Sequence, residues 1–379
     1  MRIALVGPTH PYKGGIAQHT TALARQLGVA GHTVDVLSWS AQYPDFLYPG
    51  EQRVPVDRPE LEPWPRTTYP LAWYRPDSWW HTGRRLRDHD LVVVVLVTPI
   101  QVPAYLTLLA ALRRGFREWR NGEGRGPRVV VLCHNVLPHE RRLVDPMLVR
   151  ALLRRADAAL VHSGEQDRVA RAHGARDVVV GELPSGFPRS GPVVTPADDT
   201  VYRRLLFFGL VRPYKGLDVL LEALTEVPGV SLTVAGEFWG GTQATEQALG
   251  RLGLADRVEL RPGYVDAADV PALFRDVDAL VLPYRTATSS YNADVAFQYG
   301  VPVVATRAGA LADRVHDGVD GLVCEPGDVP ALAKALRRLY DEDGLLPRLR
   351  AGVEPPDHTG RWQRYVEALL AAAGAGAPR

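Results

Sequence analysis

Apolar runs alternate with segments of helical periodicity along most of the chain. In the first half, continuous runs rich in Val and Leu predict strands at residues 3–6, 33–37, 91–97, 128–132, 158–161 and 178–180. Residues 16–27 have the three- and four-residue spacing of apolar side chains that predicts a helix. Strands without polar alternation are typical of parallel sheets that are covered on both faces. The pattern therefore predicts an α/β fold with parallel sheets.

The alternation stops in a proline-rich stretch and then starts again. Residues 184–199 contain four prolines with Gly and Ser, which is typical of a domain boundary. Further strands are predicted at residues 205–208, 231–234, 258–260, 279–282, 303–306 and 322–323, and a last amphipathic helix at about 362–370. We therefore predict a first domain over residues 1–186, a linker over 187–200, a second domain over 201–355, and a terminal helix and tail over 356–379, with a return of this helix to the first domain left open.

Length, charge and cysteine content narrow the class of protein. A chain of 379 residues is long enough for two domains, and a net charge of +1 gives no general attraction to nucleic acid. Cys133 and Cys324 each end an apolar run and are expected to be buried in a reducing compartment. Residues 91–112 are interrupted by Gln101 and two prolines, so they predict a strand, a turn and a helix rather than a membrane span. Because no secretory segment follows Met1, we predict a cytoplasmic protein without a transmembrane segment.

The tetrapeptide Pro-Tyr-Lys-Gly occurs twice, at residues 11–14 and 213–216. Each copy follows a predicted strand and precedes a predicted helix, and the chain has 41 Arg but only three Lys, two of which are Lys13 and Lys215. A strand, a glycine loop with a cation and a helix N-terminus form a geometry that receives phosphate. Gly14 and Gly15 fit this interpretation, although glycine is also ordinary in a strand-to-helix turn.

The second copy carries the stronger signal. Arg212 and Lys215 share one loop with Gly209, so two cations and the helix amides can hold a diphosphate and stabilise it as a leaving group. The alternative is a surface loop with two solvated charges. A hydroxyl-rich run precedes another predicted helix, where it either caps the helix or contacts a ligand: Thr288, Ser289 and Ser290. Neither half has the GxGxxG of nicotinamide or flavin proteins, so no cofactor is predicted.

Several histidines and aspartates are candidates for catalysis or metal binding. His134 ends a predicted buried strand, where reacting groups emerge from a parallel sheet, whereas His10 lies in the first glycine loop. The Asp-x-Asp pairs at 88–90 and 276–278 precede strands and so lie at the opposite edge from such a site. No Cys or His spacing suggests zinc. We therefore predict no metal site.

Several segments in the right order resemble the retaining glycosyltransferases with the GT-B fold. FGLVRPYKGLDVLLEAL, YGVPVVATRAGAL and HDGVDGLVCEPGD resemble the second domain of glycogen synthase, sucrose synthase and the phosphatidylinositol mannosyltransferases. MRIALVGPTHPYKGGIAQHTTALARQL and VLCHNVLPHE resemble their first domain. The resemblance implies two Rossmann-like domains facing across a cleft. It also implies metal-independent transfer of a sugar from a nucleotide diphosphate sugar to an acceptor, with retention of anomeric configuration.

The same resemblance assigns roles to residues. It places the phosphate-binding pair on Arg212 and Lys215, the histidine near the donor on His134, the glycine loop on Gly14 and Gly15, and the donor-binding turn on residues 288–290. Two glutamates of the common pattern are missing, because their positions hold Ala287 and Val295. Asp294 is adjacent to the second position and is a candidate replacement. The departure leaves open a non-catalytic binding or activator subunit, and also a sugar-nucleotide epimerase.

The acceptor is expected on the first domain. Five of the eight tryptophans lie between Trp39 and Trp80, in or beside an irregular stretch at residues 40–77. Aromatic rings stack on sugars, but they also pack long loops. We predict that Trp79, Trp80 and His10 contact the acceptor, whose identity the sequence leaves open together with the sugar, the base and the oligomeric state.

Overall fold

The chain divides into two units. The computed structural model describes residues 1–44, 53–54, 61–118, 126–138, 142–184, 200–287 and 291–374. Unit 1 consists of Met1–Gly186 and His358–Arg379, and unit 2 consists of Phe187–Asp357. Residues 187–199 of the predicted linker lie outside the described residues.

Unit 1 is built on a seven-stranded parallel sheet with the strand order β3-β2-β1-β4-β5-β6-β7. Its strands are β1 Arg2–Val6, β2 Thr33–Ala41, β3 Thr67–Ala72, β4 Leu91–Leu96, β5 Arg128–Cys133, β6 Ala158–Val161 and β7 Val178–Val180. Its helices are α1 Gly15–Val29, α2 Pro76–Arg85, α3 Val102–Glu118, α4 Asp145–Leu153, α5 Gly164–Ala172 and α12 His358–Ala372. Every residue of β4 is buried, as expected for a central strand with both faces covered.

The C-terminal helix α12 belongs to the core of unit 1. Trp362, Tyr365 and Leu369 are buried on one side of the helix, which packs on α1, β6 and β7. Gly181 lets the end of β7 approach this helix, because a Cβ there would lie 3.3 Å from Tyr365 Cδ2 and 3.1 Å from Leu160 Cδ1.

Unit 2 has a six-stranded parallel sheet with the order β10-β9-β8-β11-β12-β13. Its strands are β8 Arg204–Phe208, β9 Ser231–Gly236, β10 Val258–Pro262, β11 Ala279–Leu282, β12 Val303–Thr306 and β13 Gly321–Cys324. Its helices are α6 Leu217–Thr225, α7 Gln243–Leu252, α8 Val270–Leu273, α9 Tyr291–Gln298, α10 Val329–Asp341 and α11 Leu345–Gly352. The predicted α/β class with two Rossmann-like parallel-sheet domains is confirmed.

The two cysteines lie in the hydrophobic cores of different units, and the suspected membrane segment belongs to the core of unit 1. Cys133 and Cys324 are both buried and unbonded to each other, and burial raises the pKa of their thiols to about 12 and about 11. Residues 91–112 form β4, a turn and the first part of α3, as predicted. None of the helices in the described part of the chain has the length and apolar character that crossing a bilayer requires.

Candidate functional site

Three loops meet at the carboxyl edge of the sheet in unit 2. Gly236 ends β9, and a Cβ on it would lie 1.9 Å from the carbonyl oxygen of Gly209, which follows β8. Gly216 has φ 67°, and a Cβ on it would lie 2.0 Å from the carbonyl oxygen of Pro283 after β11. A side chain at either position would push the loops apart, so these glycines allow the contact. This edge is where ligands bind in parallel α/β sheets.

Arg212 and Lys215 lie on the loop between β8 and α6, and an aromatic ring holds each of them. The Arg212 guanidinium carbon is 3.8 Å from the ring centroid of Trp239, on the loop after β9. Lys215 Nζ is 5.0 Å from the ring centroid of Tyr284, on the loop after β11. Cation–π contacts of this kind orient a charge without neutralising it. Both cations therefore lie in fixed positions before the first turn of α6.

Gly209 keeps open the space beside Lys215. It has φ 104°, and a Cβ on it would lie 3.5 Å from Lys215 Nζ and 3.0 Å from Asn292 Nδ2. Asn292 Nδ2 donates to the carbonyl of Phe208 at 2.7 Å and to the hydroxyl of Tyr284 at 3.1 Å. The hydrogen bond to Phe208 fixes the end of β8. The hydrogen bond to Tyr284 fixes the ring that contacts Lys215. Asn292 is thus a positioning residue for the loop.

The charge of the loop is net positive. Arg285 donates to both carboxylate oxygens of Asp218, at 2.8 and 2.6 Å, and to the carbonyl of Pro213. The hydrogen bonds from Arg285 hold the pKa of Asp218 below its usual value, so this carboxylate is ionised and paired. Lys215 forms no salt bridge with a carboxylate of the described residues. Arg212 and Lys215 are the two cations of the loop between β8 and α6.

In unit 1 the glycine loop lies between β1 and α1. Gly14 precedes the first residue of α1 with φ 95°, and a Cβ on it would meet no atom within 4 Å. Gly15 begins the helix. Beside them, the carbonyl of His10 accepts a 2.6 Å hydrogen bond from the hydroxyl of Tyr69, and burial lowers the pKa of the His10 imidazole. The backbone around Gly14 therefore presents an open surface at the start of a helix.

Family comparisons follow the same two units. Residues 13–181 match the family described as Glycosyltransferase Family 4, and residues 202–342 match Glycosyl transferases group 1. The chain belongs to the family four-like glycosyltransferases of the GT-B fold. This confirms the resemblance that the sequence motifs carry.

Individual relatives agree with this family. The chain is 33% identical over 178 residues to D-inositol 3-phosphate glycosyltransferase of Mycobacterium marinum, a match that covers 44% of this chain and 36% of the relative. The chain thus spans about a third of the length of that curated relative. Sucrose-phosphate synthase of Thermosynechococcus elongatus has a TM-score of 0.69 at 17% identity, over 99% of this chain and 97% of the other. HepE of Anabaena in complex with UDP also has a TM-score of 0.69, at 18% identity, over 99% of both chains. At these identities the two structures show the shared fold.

The two positions at which the common family pattern has glutamate hold apolar residues that are buried. Ala287 and Val295 both lie in the core of unit 2. Asp294, on α9, is 2% exposed and lies 3.7 Å from Arg314. Burial first, and then the Asp294 carboxylate, raise the pKa of Tyr291 well above its usual value. The structure therefore places Asp294 in an internal charge pair, and its contact with a donor sugar stays a prediction. The predicted donor turn, Thr288, Ser289 and Ser290, lies outside the described residues.

His134 belongs to a buried cluster of aromatic rings in unit 1. Its ring centroid is 4.8 Å from that of His19 on α1 and 5.2 Å from that of His162 after β6. Trp362 of α12 stacks on His19 with a centroid distance of 5.3 Å. We call these residues, with Tyr365, the histidine cluster. Since His134 is 5% exposed, its predicted role near the donor stays a prediction.

Trp79 and Trp80 lie on α2, which packs against α3. The Trp79 indole N–H donates to the carbonyl of Ala72 at 2.7 Å, and its ring packs on the core of unit 1. Arg114 of α3 lies over the ring of Trp80 at 5.6 Å from its centroid. Both tryptophan rings therefore have contacts within unit 1. The predicted contact of Trp79 and Trp80 with an acceptor stays a prediction.

The Asp-x-Asp pairs have structural partners. Asp278 is fully buried and accepts hydrogen bonds from the backbone N–H groups of Tyr202 and Arg204 and from Arg350. Asp90 accepts from the backbone N–H of Arg2 at 2.6 Å. The part of the chain that the structure describes contains no group of three His, Cys, Asp or Glu side chains arranged to hold a metal ion.

Three residues of the loop cluster were not predicted from sequence: Trp239, Tyr284 and Asn292. Tyr284 lies in the Pro-Tyr-Arg segment directly after β11. Its position after a predicted strand indicates the carboxyl edge of the sheet, so the sequence contains a signal for this residue. Trp239 contacts Arg212, and Asn292 donates to the carbonyl of Phe208. Each of these two partners is more than 25 positions away, and no local spacing reveals such a contact.

Proposed function

We propose that this protein transfers a glycosyl group from a nucleoside diphosphate sugar to an acceptor hydroxyl. The observation that carries the proposal is the pair Arg212 and Lys215, held on aromatic faces where the loop of β8 enters α6. Membership in the glycosyltransferase family supports the same reaction. Fixed cations at a helix N-terminus suit a diphosphate better than a neutral ligand.

The chemistry assigns a role to each cation. The bond between the sugar C1 and the diphosphate oxygen breaks, a bond from the acceptor oxygen to C1 forms, and the acceptor proton passes to the departing diphosphate. Negative charge grows on the diphosphate as it leaves, so Arg212 and Lys215 bind the transition state more tightly than the substrate. Because these side chains supply that stabilisation, we propose that transfer needs no divalent metal. Retention of anomeric configuration is proposed from the family likeness.

The relatives suggest which ligands to try first. HepE is described in complex with UDP, and the mycobacterial relative is named a D-inositol 3-phosphate glycosyltransferase. We therefore propose UDP sugars as first donors, with D-inositol 3-phosphate in the acceptor panel. Thermal stabilisation by UDP, GDP and ADP identifies the base, and nucleotide release with and without acceptor then measures turnover.

Substitution of the two cations tests the site. We expect Lys215→Ala or Arg212→Ala to lower turnover about a hundredfold or more while the fold persists, because each removes a charge that acts on the leaving group. Lys334→Ala and Arg251→Ala are matched controls, since both side chains are exposed on helices of unit 2. Unchanged turnover in both loop variants would exclude the assigned site.

Chelation tests the proposed independence from metal. Turnover in excess EDTA is expected to equal turnover in buffer, because the positive charge at the leaving group comes from side chains. Loss of activity in EDTA that magnesium or manganese restores would overturn this part of the proposal and leave the transfer reaction intact.

The missing glutamates favour one rival, a subunit that binds nucleotide without turnover. Such a protein would show nucleotide-dependent stabilisation, with neither transfer nor hydrolysis across the donor panel. An epimerase would convert the sugar nucleotide without an acceptor. Analysis of the sugar after incubation, with and without acceptor, therefore separates all three activities, and the anomeric signals of the product report retention or inversion.

A further inference from the structure

An open pocket of about 520 Å³ lies at the amino edge of the sheet in unit 2. Its walls come from the first residues of β8 and β9, from β10 and the turn before it, and from the end of α8 and the segment that joins it to β11. The Arg212–Lys215 loop is at the carboxyl edge of the same sheet. The two features are therefore at opposite ends of the strands. The volume is within the range of about 300 to 1,000 Å³ that is usual for small-molecule sites.

The crossover from β10 to β11 contains only a short helix beside the pocket. Crossovers between parallel strands usually carry a helix that runs the length of the sheet. Here α8 has four residues, and Val270 and Leu273 belong to the same core cluster as Leu206 and Phe208 of β8. Ala272 and Leu273, at the end of α8, also line the pocket.

The face of the sheet that lines the pocket is polar on three neighbouring strands. Thr233 of β9 pairs in register with Leu206 of β8 and with Glu259 of β10, so these side chains share a face. Arg204 is two residues before Leu206, and Arg261 is two residues after Glu259, so both lie on that face. The resulting surface is polar where a covered sheet would be apolar.

Six charged side chains line the pocket: Arg204, Arg257, Arg261, Arg275, Asp256 and Glu259. Four positive and two negative charges give a local charge of +2. Arg261 is bidentate on Glu259, at 2.8 and 3.0 Å, and this contact lowers the pKa of the carboxyl. Arg257 donates to the carbonyls of Leu224, Val227 and Val230, which fixes it in the wall.

Arg204 and Arg275 are the remaining cations of the pocket. No carboxylate of the described residues lies within 4.0 Å of either guanidinium. Each stands next to one of the two non-glycine residues that, within the described chain, have positive φ: Arg203 at 52° and Asp276 at 56°. This left-handed backbone conformation costs about 1 kcal/mol or more of free energy at each residue, and it sets the direction of the chain at the rim of the pocket.

We propose that this pocket binds a phosphorylated small molecule, with Arg204 and Arg275 as its phosphate ligands. Guanidinium groups match phosphate geometry through paired N–H donors, which favours phosphate over a monovalent anion. The opening is large enough for a sugar phosphate or nucleotide, and the floor is too polar for an apolar ligand. The site is separate from the diphosphate loop and does not depend on the proposed sugar transfer.

Pyrophosphate is the probe, measured by isothermal titration calorimetry on the full chain. Because the Arg212–Lys215 loop is also expected to bind it, two double variants separate the sites. Arg212→Gln/Lys215→Gln should retain one pyrophosphate site. Arg204→Gln/Arg275→Gln should weaken pyrophosphate binding at the pocket at least about tenfold and leave binding at the Arg212–Lys215 loop. The charge-matched control Arg251→Gln/Lys334→Gln should bind as the parent does.

A further variant tests the pocket without removing either arginine, in case the arginine variants do not fold. Ala272 is exposed on α8 and lines the pocket, so Ala272→Glu adds a negative charge at the mouth without disturbing the floor. It should weaken pyrophosphate binding about tenfold in the Arg212→Gln/Lys215→Gln background. Loss of all binding in the loop variant, or undiminished binding in the pocket variants, would overturn the proposal. Equal affinity for citrate, a trianion without phosphate, would overturn the phosphate assignment.

Discussion

At the scale of single residues, the loop site depends on where two long cationic side chains are held. Arg212 lies flat on the indole of Trp239 at 3.8 Å, and its position is therefore set by a residue from a different loop. A guanidinium left without this ring would sample several rotamers and spend less time at the diphosphate. Trp239 is on this basis a positioning residue that acts through Arg212.

We expect Trp239→Ala to weaken nucleoside diphosphate binding about three- to tenfold. Trp239→Phe should restore most of the loss, because a phenyl ring still offers a π face. Titration of each variant with the nucleotide that stabilises the parent measures the effect.

The control is a double-mutant cycle. If Trp239 acts through Arg212, then Trp239→Ala added to Arg212→Ala should cost almost nothing further. A full additional loss in the double variant would show that the indole contacts the nucleotide or supports the loop independently. Lys215→Ala combined with Trp239→Ala should by contrast be additive, because a different ring holds Lys215.

The residue scale also shows what a sequence can reveal about this site. Lys215 was predicted because lysine is rare in this chain and stands before a helix, which are both local facts. Asn292 was not, because its importance arises from two hydrogen bonds to residues brought near it by the fold. Asp294 is a candidate replacement for a glutamate by its place in the sequence. The structure adds its position 3.7 Å from Arg314, and its contact with a donor sugar stays a prediction.

At the scale of elements, α12 joins the unit that is distant from it in sequence. Its buried face packs on α1, β6 and β7 and closes the histidine cluster, in which Trp362 is 6% exposed. Helices of this size gain most of their stability from such an apolar face. The helix is therefore expected to be essential for unit 1 and of little consequence for unit 2.

We expect Trp362→Ala to destabilise unit 1 by about 3 to 5 kcal/mol, the usual cost of removing a large buried aromatic side chain. Hydrogen exchange resolved by segment should show faster exchange in β6, β7 and α1, with β8 and β11 unchanged. Gln363→Ala, an exposed neighbour on the same helix, is the matched control. Equal destabilisation of β8 and β11 would show that the two units unfold together.

One element differs from the sequence-based description. Residues 40–77 were expected to be irregular, but Thr67–Ala72 forms β3 at the edge of the sheet. An edge strand that contains Pro70 and buries only its last two residues has neither the length nor the apolar run that marks β4. The alternation of strands and helices also predicts a helix between β10 and β11, and α8 lies there with a length of only four residues, beside the arginine-lined pocket.

At the scale of the whole molecule, the sequence predicts the architecture well, because that architecture rests on repeated local signals. Buried Val and Leu runs, glycine turns and helical periodicity recur in both units, so the parallel sheets were evident before any contact was known. Clusters that join distant segments were not evident. The histidine cluster combines α1, the ends of β5 and β6, and α12, and its members span residues 19 to 365.

The last prediction concerns the stability of unit 1 in acid. Burial lowers the pKa of His162 to about 4, and burial together with neighbouring imidazoles holds the pKa of His19 and His134 well below the usual 6.5. The unfolded chain therefore binds more protons than the folded chain between pH 6.5 and about 4. Stability from these residues is complete above pH 6.5 and is lost as the pH falls through that window.

Each histidine should contribute about 1.4 kcal/mol per pH unit to the fall in the unfolding free energy of unit 1. The slope is the fall in the unfolding free energy of unit 1 per pH unit. We expect His162→Leu to reduce this slope by about 1.4 kcal/mol per pH unit, because it removes one of three protonation steps. His81→Gln is the control: His81 is exposed and should leave the slope unchanged. Segment-resolved hydrogen exchange at pH 7, 6 and 5 measures the slope. Imidazole signals that titrate near pH 6.5 in the folded protein, together with a flat stability profile, would show that the cluster admits protons without unfolding.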